Sequence, residues 1–315
     1  MDKLRNFLAL TDLGRDGLES VLEDAMACKV SRGTGRGSKD LDGQTWALLF
    51  HKSSTRTRVS FEVGIHELGG HAMILDQGRM QTGRGESVED TAKVLSRYIH
   101  GIIIRTYEHG FLESFAESGS IPVVNALSDA LHPCQVLSDL LTLGERFGRP
   151  GNLLGALKGK KVAFYGDCSC NMAHSWILGA ALSGIELTLC GPEEYGPKPF
   201  IQDYLDRAGL GGTWHFTSDP LLACQKADAI YTDVWVSMGS EAEEAARLKA
   251  FRPYQVNERI MAGTKDGIFL HCLPAHVGEE VSEAVFKSPA SVVFDQAENR
   301  LHAQKAILSI LGKSH

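Results

Sequence analysis

The chain has 315 residues, 43% hydrophobic and 23% charged, with a formal net charge of −7. That length predicts about two domains, and the acidic balance argues against general nucleic-acid binding. No apolar run reaches the roughly 18–20 residues that cross a bilayer. Residues 1–7 lack a secretory apolar region. A cytoplasmic protein with no membrane partner is expected. Seven scattered cysteines, Cys28, Cys134, Cys168, Cys170, Cys190, Cys224 and Cys272, read as reduced thiols.

In chain order, residues 6–29 carry a helical pattern with Leu13, Leu18, Val21, Leu22 and Ala25 on its apolar positions, and a flexible loop follows at 33–38. The apolar run 46–50 predicts a buried strand. It leads into Ser54-Thr55-Arg56-Thr57-Arg58, and then into a helix with Phe61, Ile65 and Leu68 on one face. A helix N-terminus offers unpaired N–H groups and partial positive charge. Hydroxyls and guanidinium groups there make a phosphate cradle rather than a plain solvated cap. Residues 72–75 predict a second strand. The Gly-rich loop 77–87, which contains Gln81, reads as a mobile segment able to reach a ligand, or alternatively as an exposed connector. A helix capped by Ser87 follows.

The strand 101–104 ends in Arg105, and a strand at 122–126 leads to His132-Pro133-Cys134-Gln135, which opens a long helix with Pro133 in its first turn. Residues 148–152, rich in Gly and Pro, mark a domain boundary. Beyond it the alternation restarts. Strands are predicted at 161–166, 185–190, 213–216, 229–232, 267–271 and 291–294, with a closing helix at 298–311. The fold class expected is α/β: two doubly wound parallel-sheet domains in series, with the active site in the cleft between them.

Two metal readings fail on spacing. Cys168, Cys170 and His174 have no second ligand pair at zinc spacing, and His66 and His71, five apart, diverge around a helix. No metal site is expected.

The strand-end groups of the first half, Ser54, Thr55, Arg56, Thr57, Arg105, His132 and Gln135, are donor-rich and cationic. They suit a phosphate attached to a carbonyl. Those of the second half, Asn171, Asp233, Ser237, Met238 and Cys272, suit a small amino substrate. Together they point to an amine attacking an activated carbonyl whose leaving group is phosphate. Arg105 and His132 would stabilise the oxyanion and Arg56 would neutralise the departing phosphate. Holding two substrates in line would supply much of the rate.

Four motifs occur in order: Ser54-Thr55-Arg56-Thr57-Arg58, His132-Pro133-Cys134-Gln135, the segment 233–239 (Asp-Val-Trp-Val-Ser-Met-Gly) and His271-Cys272-Leu273-Pro274. With them the chain resembles the aspartate/ornithine carbamoyltransferase family over nearly its whole length. The last two motifs are those of the ornithine branch. The resemblance implies that carbamoyl phosphate is held by residues 54–57, Arg105, His132, Pro133, Cys134, Gln135, Cys272, Leu273 and Arg300, with Gln81 reaching in from an adjacent subunit. It implies that ornithine is held by Asn171, Asp233, Ser237 and Met238, with Cys272 and Asp233 orienting its side-chain amine. The implied catalytic set is Arg56, Arg105, His132, Asp233 and Cys272. The implied products are citrulline and phosphate in arginine biosynthesis, made by a homotrimer or multiple of trimers without cofactor or metal. The domains implied are 1–147, joined by the closing helix 298–315, for carbamoyl phosphate, and 151–297 for ornithine.

Two positions depart from the family pattern. Cys170 stands where an asparagine is usual, and Val277 where many relatives carry arginine. The alternatives are another amine substrate (putrescine, an acylated ornithine or aspartate) or a non-catalytic paralogue. Asp233 would repel aspartate.

Overall fold

The structure is a computed structural model that describes residues 4–75, 86–211, 214–236 and 243–313. The chain divides into two compact units, Met1–Leu141 with Asn299–His315, and Thr142–Glu298.

The first unit contains strands β1 (Thr45–Phe50), β2 (His71–Leu75), β3 (Gly101–Arg105) and β4 (Val123–Leu127), all parallel, in the order β2-β1-β3-β4. Helix α1 (Gly14–Ser31) precedes β1, and α2 (Thr55–Glu67), α3 (Val88–Leu95) and α4 (His109–Ser118) connect the strands. Helix α5 (Pro133–Phe147) follows β4, and the division falls inside it. The β3 strand is buried along its whole length, as its isoleucines predict. Its first residue is a glycine by necessity. A Cβ on Gly101 would lie 2.4 Å from the ring of Trp46, the residue beside it on β1.

The second unit contains β5 (Lys161–Tyr165), β6 (Glu186–Cys190), β7 (Trp214–Thr217), β8 (Ala229–Thr232) and β9 (Ile268–His271), parallel throughout in the order β7-β6-β5-β8-β9. Its helices are α6 (Asn171–Ser183), α7 (Phe200–Arg207), α8 (Pro220–Ala223), α9 (Glu244–Phe251), α10 (Glu258–Ala262) and α11 (Glu283–Phe286). The closing helix α12 (Val293–Gly312) begins in this unit and runs into the first. Both sheets are the parallel α/β sheets expected.

One predicted strand is absent. Residues 291–294 make a single bridge, Ser291 beside Phe269, and α12 starts at Val293, five residues before the expected closing helix. The reason is a change of partner. The His271 N–H, which a further strand would receive, donates instead to the side-chain Oε1 of Gln296 at 2.9 Å. With that donor satisfied by a side chain, the backbone is released into a helix.

Each sheet reverses its winding at one place: between β1 and β3 in the first, and between β5 and β8 in the second. Ligands of open α/β sheets bind outside the strand carboxyl ends at such reversals. The residues that follow β1 are 51–54, and β3 ends at Arg105. The loop 166–170 follows β5, and Asp233 follows β8.

Candidate active site

In the first unit, Ser54 takes an extended backbone and accepts from the Thr57 N–H at 3.3 Å, capping α2. The helix starts at Thr55, so Arg56 and Arg58 both belong to its first turn. Arg56 is exposed, whereas Thr57 is buried. Arg58 makes a long contact with Glu62, at 3.9 Å. A cavity of about 830 Å³ opens beside this cap, lined among others by His51, Lys52, Ser54, Thr55 and Arg58. Lys52 was not foreseen. It is nearly buried, pairs with Asp129 at 2.8 Å and lies 4.0 Å from the centre of the Tyr107 ring.

The HPCQ turn opens α5. Its Gln135 meets Arg300, 165 residues later on α12, where Nη1 donates to Gln135 Oε1 at 2.5 Å. Arg300 Nη2 donates to Thr57 Oγ1 at 3.2 Å. Thr57, Gln135 and Arg300 are therefore brought together from three helices, each nearly buried. His132 lies close enough to Arg300 and Arg105 for both to disfavour its protonation. Burial first, and then these two cations, push its pKa well below the ordinary histidine value. Its ring is neutral at physiological pH and can donate one N–H without adding charge. Burial pushes the Cys134 thiol up to about 12, so it is not a nucleophile.

The depressed His132 pKa has a stability consequence. Above about pH 6.5 the ring is neutral in both folded and unfolded chains. Below it the unfolded chain binds a proton that the fold refuses, so stability falls on acidification, by up to about 1.4 kcal/mol per pH unit. The His132→Gln variant should show a flatter fall in denaturant midpoint than wild type between pH 6.5 and 5. An identical fall in both would contradict this account.

In the second unit, Gly166 ends β5 at φ 112°, with the Trp235 ring against its open face. The chain then turns through 167–170 to Asn171, the first residue of α6. Cys170 occupies the cap position, where its thiol faces the Met172 and Ala173 N–H groups without a full side-chain cap bond. The loop is held from elsewhere. Asp167 accepts from the Ser169 N–H at 2.8 Å and from its hydroxyl at 2.6 Å, and forms an ion pair with buried Arg247, which also donates to the Trp235 carbonyl at 2.7 Å.

Asp233 and Cys272 leave adjacent strands, β8 and β9. The Cys272 thiol donates to Asp233 Oδ1 at 2.8 Å, and the Val234 N–H donates to the same oxygen at 2.8 Å. Burial raises the Asp233 pKa, while the neighbouring His271 ring and these bonds act the other way. Behind Cys272, His271 Nδ1 accepts from the Leu273 N–H at 2.8 Å. Its Nε2 therefore carries the hydrogen, 3.1 Å from the buried carboxylate of Glu280. Leu273 sits at φ 57° before a cis Leu273–Pro274 bond, and the His271 contact pins this turn. Val277 is half-exposed, its backbone bridged to Val281. Gln81, Ser237 and Met238 lie outside the described residues.

Sequence reasoning missed Lys52, Asp139, Arg247 and Glu280. Of these, Asp139 left a readable sign, since it stands four residues after Gln135, a predicted ligand contact on the same helix.

Residues 5–145 match the family model described as the carbamoyl-P binding domain of aspartate/ornithine carbamoyltransferase, and residues 158–311 match its Asp/Orn binding domain. The chain belongs to the aspartate/ornithine carbamoyltransferase family. Among curated relatives of this family member, an ornithine carbamoyltransferase of Methanoculleus marisnigri is 47% identical over 305 residues, covering 96% of each chain. An anabolic ornithine carbamoyltransferase of Pyrococcus furiosus is 45% identical over 310 residues, covering 98% of this chain and 96% of its own. Among solved structures, an ornithine carbamoyltransferase of P. furiosus superposes with a TM-score of 0.89 at 44% identity, covering 98% of this chain and 97% of that one. That of Thermus thermophilus gives 0.85 at 42% identity and 98% coverage of both.

Proposed function

We propose that this carbamoyltransferase-family enzyme moves the carbamoyl group of carbamoyl phosphate to the side-chain amine of L-ornithine, yielding L-citrulline and phosphate in arginine biosynthesis. The observation that carries the choice of amine is the Cys272–Asp233 contact at 2.8 Å. A part-buried carboxylate held by a thiol is a receptor for a cationic or amino group and repels a dicarboxylate. The Thr57–Arg300–Gln135 group supports the anion half of the reaction.

In this reading the unprotonated ornithine amine attacks the carbamoyl carbon. Charge develops on the carbonyl oxygen, where Arg105 and the neutral His132 ring donate. The C–O bond to phosphate then breaks, and Arg56, Ser54, Thr55, Thr57 and the α2 N-terminus take the leaving anion. The amine loses its proton toward the Asp233–Cys272 side. Asn171, Ser237 and Met238 hold the amino-acid end of ornithine. Pro133, Cys134 and the Cys272-Leu273 turn complete the carbamoyl phosphate wall, and each substrate belongs to its own domain, 1–147 with 298–315 and 151–297.

The working form is a homotrimer or a multiple of it, in the cytoplasm, with Gln81 of one subunit completing a neighbour's site. Exposed Val59, Met73 and Ile74 around the β2 edge support subunit contact there. No helix among the described residues is long and apolar enough to cross a membrane.

The test is phosphate and citrulline release from carbamoyl phosphate with ornithine, putrescine, N-acetylornithine and aspartate in parallel. Ornithine should win by orders of magnitude. Turnover of another amine, or binding of carbamoyl phosphate without turnover, refutes the reading. Sedimentation equilibrium on the same sample should give a mass three times that of the 34.3 kDa chain, or a multiple of that. A monomer would refute the shared site.

A further inference from the structure

Behind the Gln135–Arg300 contact lies a buried carboxylate that no motif identifies. Asp139, one turn along α5, is fully buried, and its Oδ1 accepts from Gln135 Nε2 at 2.9 Å. The other end of the same amide, Oε1, accepts from Arg300 Nη1 at 2.5 Å. A carboxylate only accepts and a guanidinium only donates. Both neighbours therefore select one orientation of the Gln135 amide. The reversed amide would set its NH₂ against the guanidinium and its oxygen against the carboxylate. It would exchange two charge-assisted bonds for two repulsive contacts where water cannot compensate.

The chemical consequence concerns the acyl end of the ligand, and it rests on the carbamoyl phosphate reading above. Carbamoyl phosphate carries an NH₂ on its carbonyl carbon, whereas acetyl phosphate carries a methyl group there. A carbonyl oxygen keeps a second lone pair when it holds one donor, so a fixed Gln135 oxygen can accept from that NH₂. A methyl group would leave it unsatisfied. We propose that Asp139 is a specificity-determining positioning residue: by holding the Gln135 amide nitrogen it keeps the amide oxygen available to read the amino group of carbamoyl phosphate and to reject acyl phosphates that lack it. Sites built to bond a substrate N–H discriminate strongly against analogues without it.

The experiment measures KM for carbamoyl phosphate and Ki for acetyl phosphate, and takes their ratio as selectivity. In Asp139→Asn the partner is neutral and can present either end of its own amide, so the lock weakens. Selectivity should fall about tenfold, through a higher KM for carbamoyl phosphate, with Ki for acetyl phosphate within about twofold of wild type. A merely structural role would weaken both ligands alike and leave the ratio unchanged, which would overturn the proposal. Gln135→Leu decides the question even if the Asn variant does not fold. It must lower selectivity at least as far, and retained selectivity would overturn the proposal. In the Gln135→Leu background, adding Asp139→Asn should change the ratio by less than about twofold. A second tenfold drop would show that Asp139 does not act through Gln135. Wild-type protein that makes no citrulline would defeat the functional reading before any variant is made. Wild-type turnover with an unmoved ratio defeats the lock alone.

Discussion

The Arg56→Ala variant should lose carbamoyl transfer by three or more orders of magnitude while unfolding at nearly the wild-type denaturant concentration. Arg56 lies in the first turn of α2, exposed, and makes no ion pair with any described residue. No ion pair among the described residues therefore depends on its charge, and alanine is a better helix former than arginine. The stability change expected for such a surface position is within about 0.5 kcal/mol. The reaction is another matter. A dianionic phosphate gains charge on its bridging oxygen as the C–O bond breaks, and a guanidinium aimed at developing phosphoryl charge is worth roughly 10³–10⁵ in rate. If Arg56 were only part of a solvated basic helix face, both measurements would stay near wild type. The decisive comparison is kcat from stopped assays beside the denaturant midpoint, and a near-normal kcat would remove Arg56 from the phosphate cradle.

Asp233→Asn should separate the two substrates. Asparagine has the same shape, and its Oδ1 can still accept from the Val234 N–H and the Cys272 thiol, as Asp233 does. The turn should therefore survive. What is lost is the negative charge that, in the proposed reading, faces the ornithine amine. Removing one partner of a desolvated charge pair costs about 3–5 kcal/mol. That corresponds to a fall of roughly 10²- to several 10³-fold in kcat/KM for ornithine. The KM for carbamoyl phosphate should stay within a few-fold, because Thr57, Gln135 and Arg300, which are proposed to hold that ligand, are bonded to one another. A proportional rise in both KM values would mean that Asp233 is a structural residue of the β8 end.

Much of this molecule was readable in advance where the signal is local. Three consecutive isoleucines before Arg105 announce a buried parallel strand whether or not its neighbours are known. Ser54 and Ser87 announce helix caps, and both accept the expected N–H. The strand expected at 291–294 failed for a reason that no local pattern carries. Gln296 takes the His271 N–H with its side chain, and β propensity in a Ser-Val-Val-Phe run cannot register that. The site divides in the same way. Arg105, His132 and Gln135 are visible because each directly follows or opens an element. Lys52 and Arg247 are invisible because each acts through a residue far along the chain, 77 and 80 positions away.

By itself the sequence determined the order of the elements, the parallel class of both sheets and the family, because hydrophobic period, cap chemistry and short motifs are properties of neighbouring residues. Only the tertiary structure decided which polar groups back one another. It set Arg300 against Gln135 and Thr57, Asp139 behind Gln135, and Cys272 on Asp233. These pairings follow from strand order and helix return, and a buried donor or acceptor takes whichever partner the fold brings within 3 Å or so. Spacing in the chain does not limit that choice, so the orientation of the Gln135 amide, and with it the proposed reading of the carbamoyl group, is written in the fold alone.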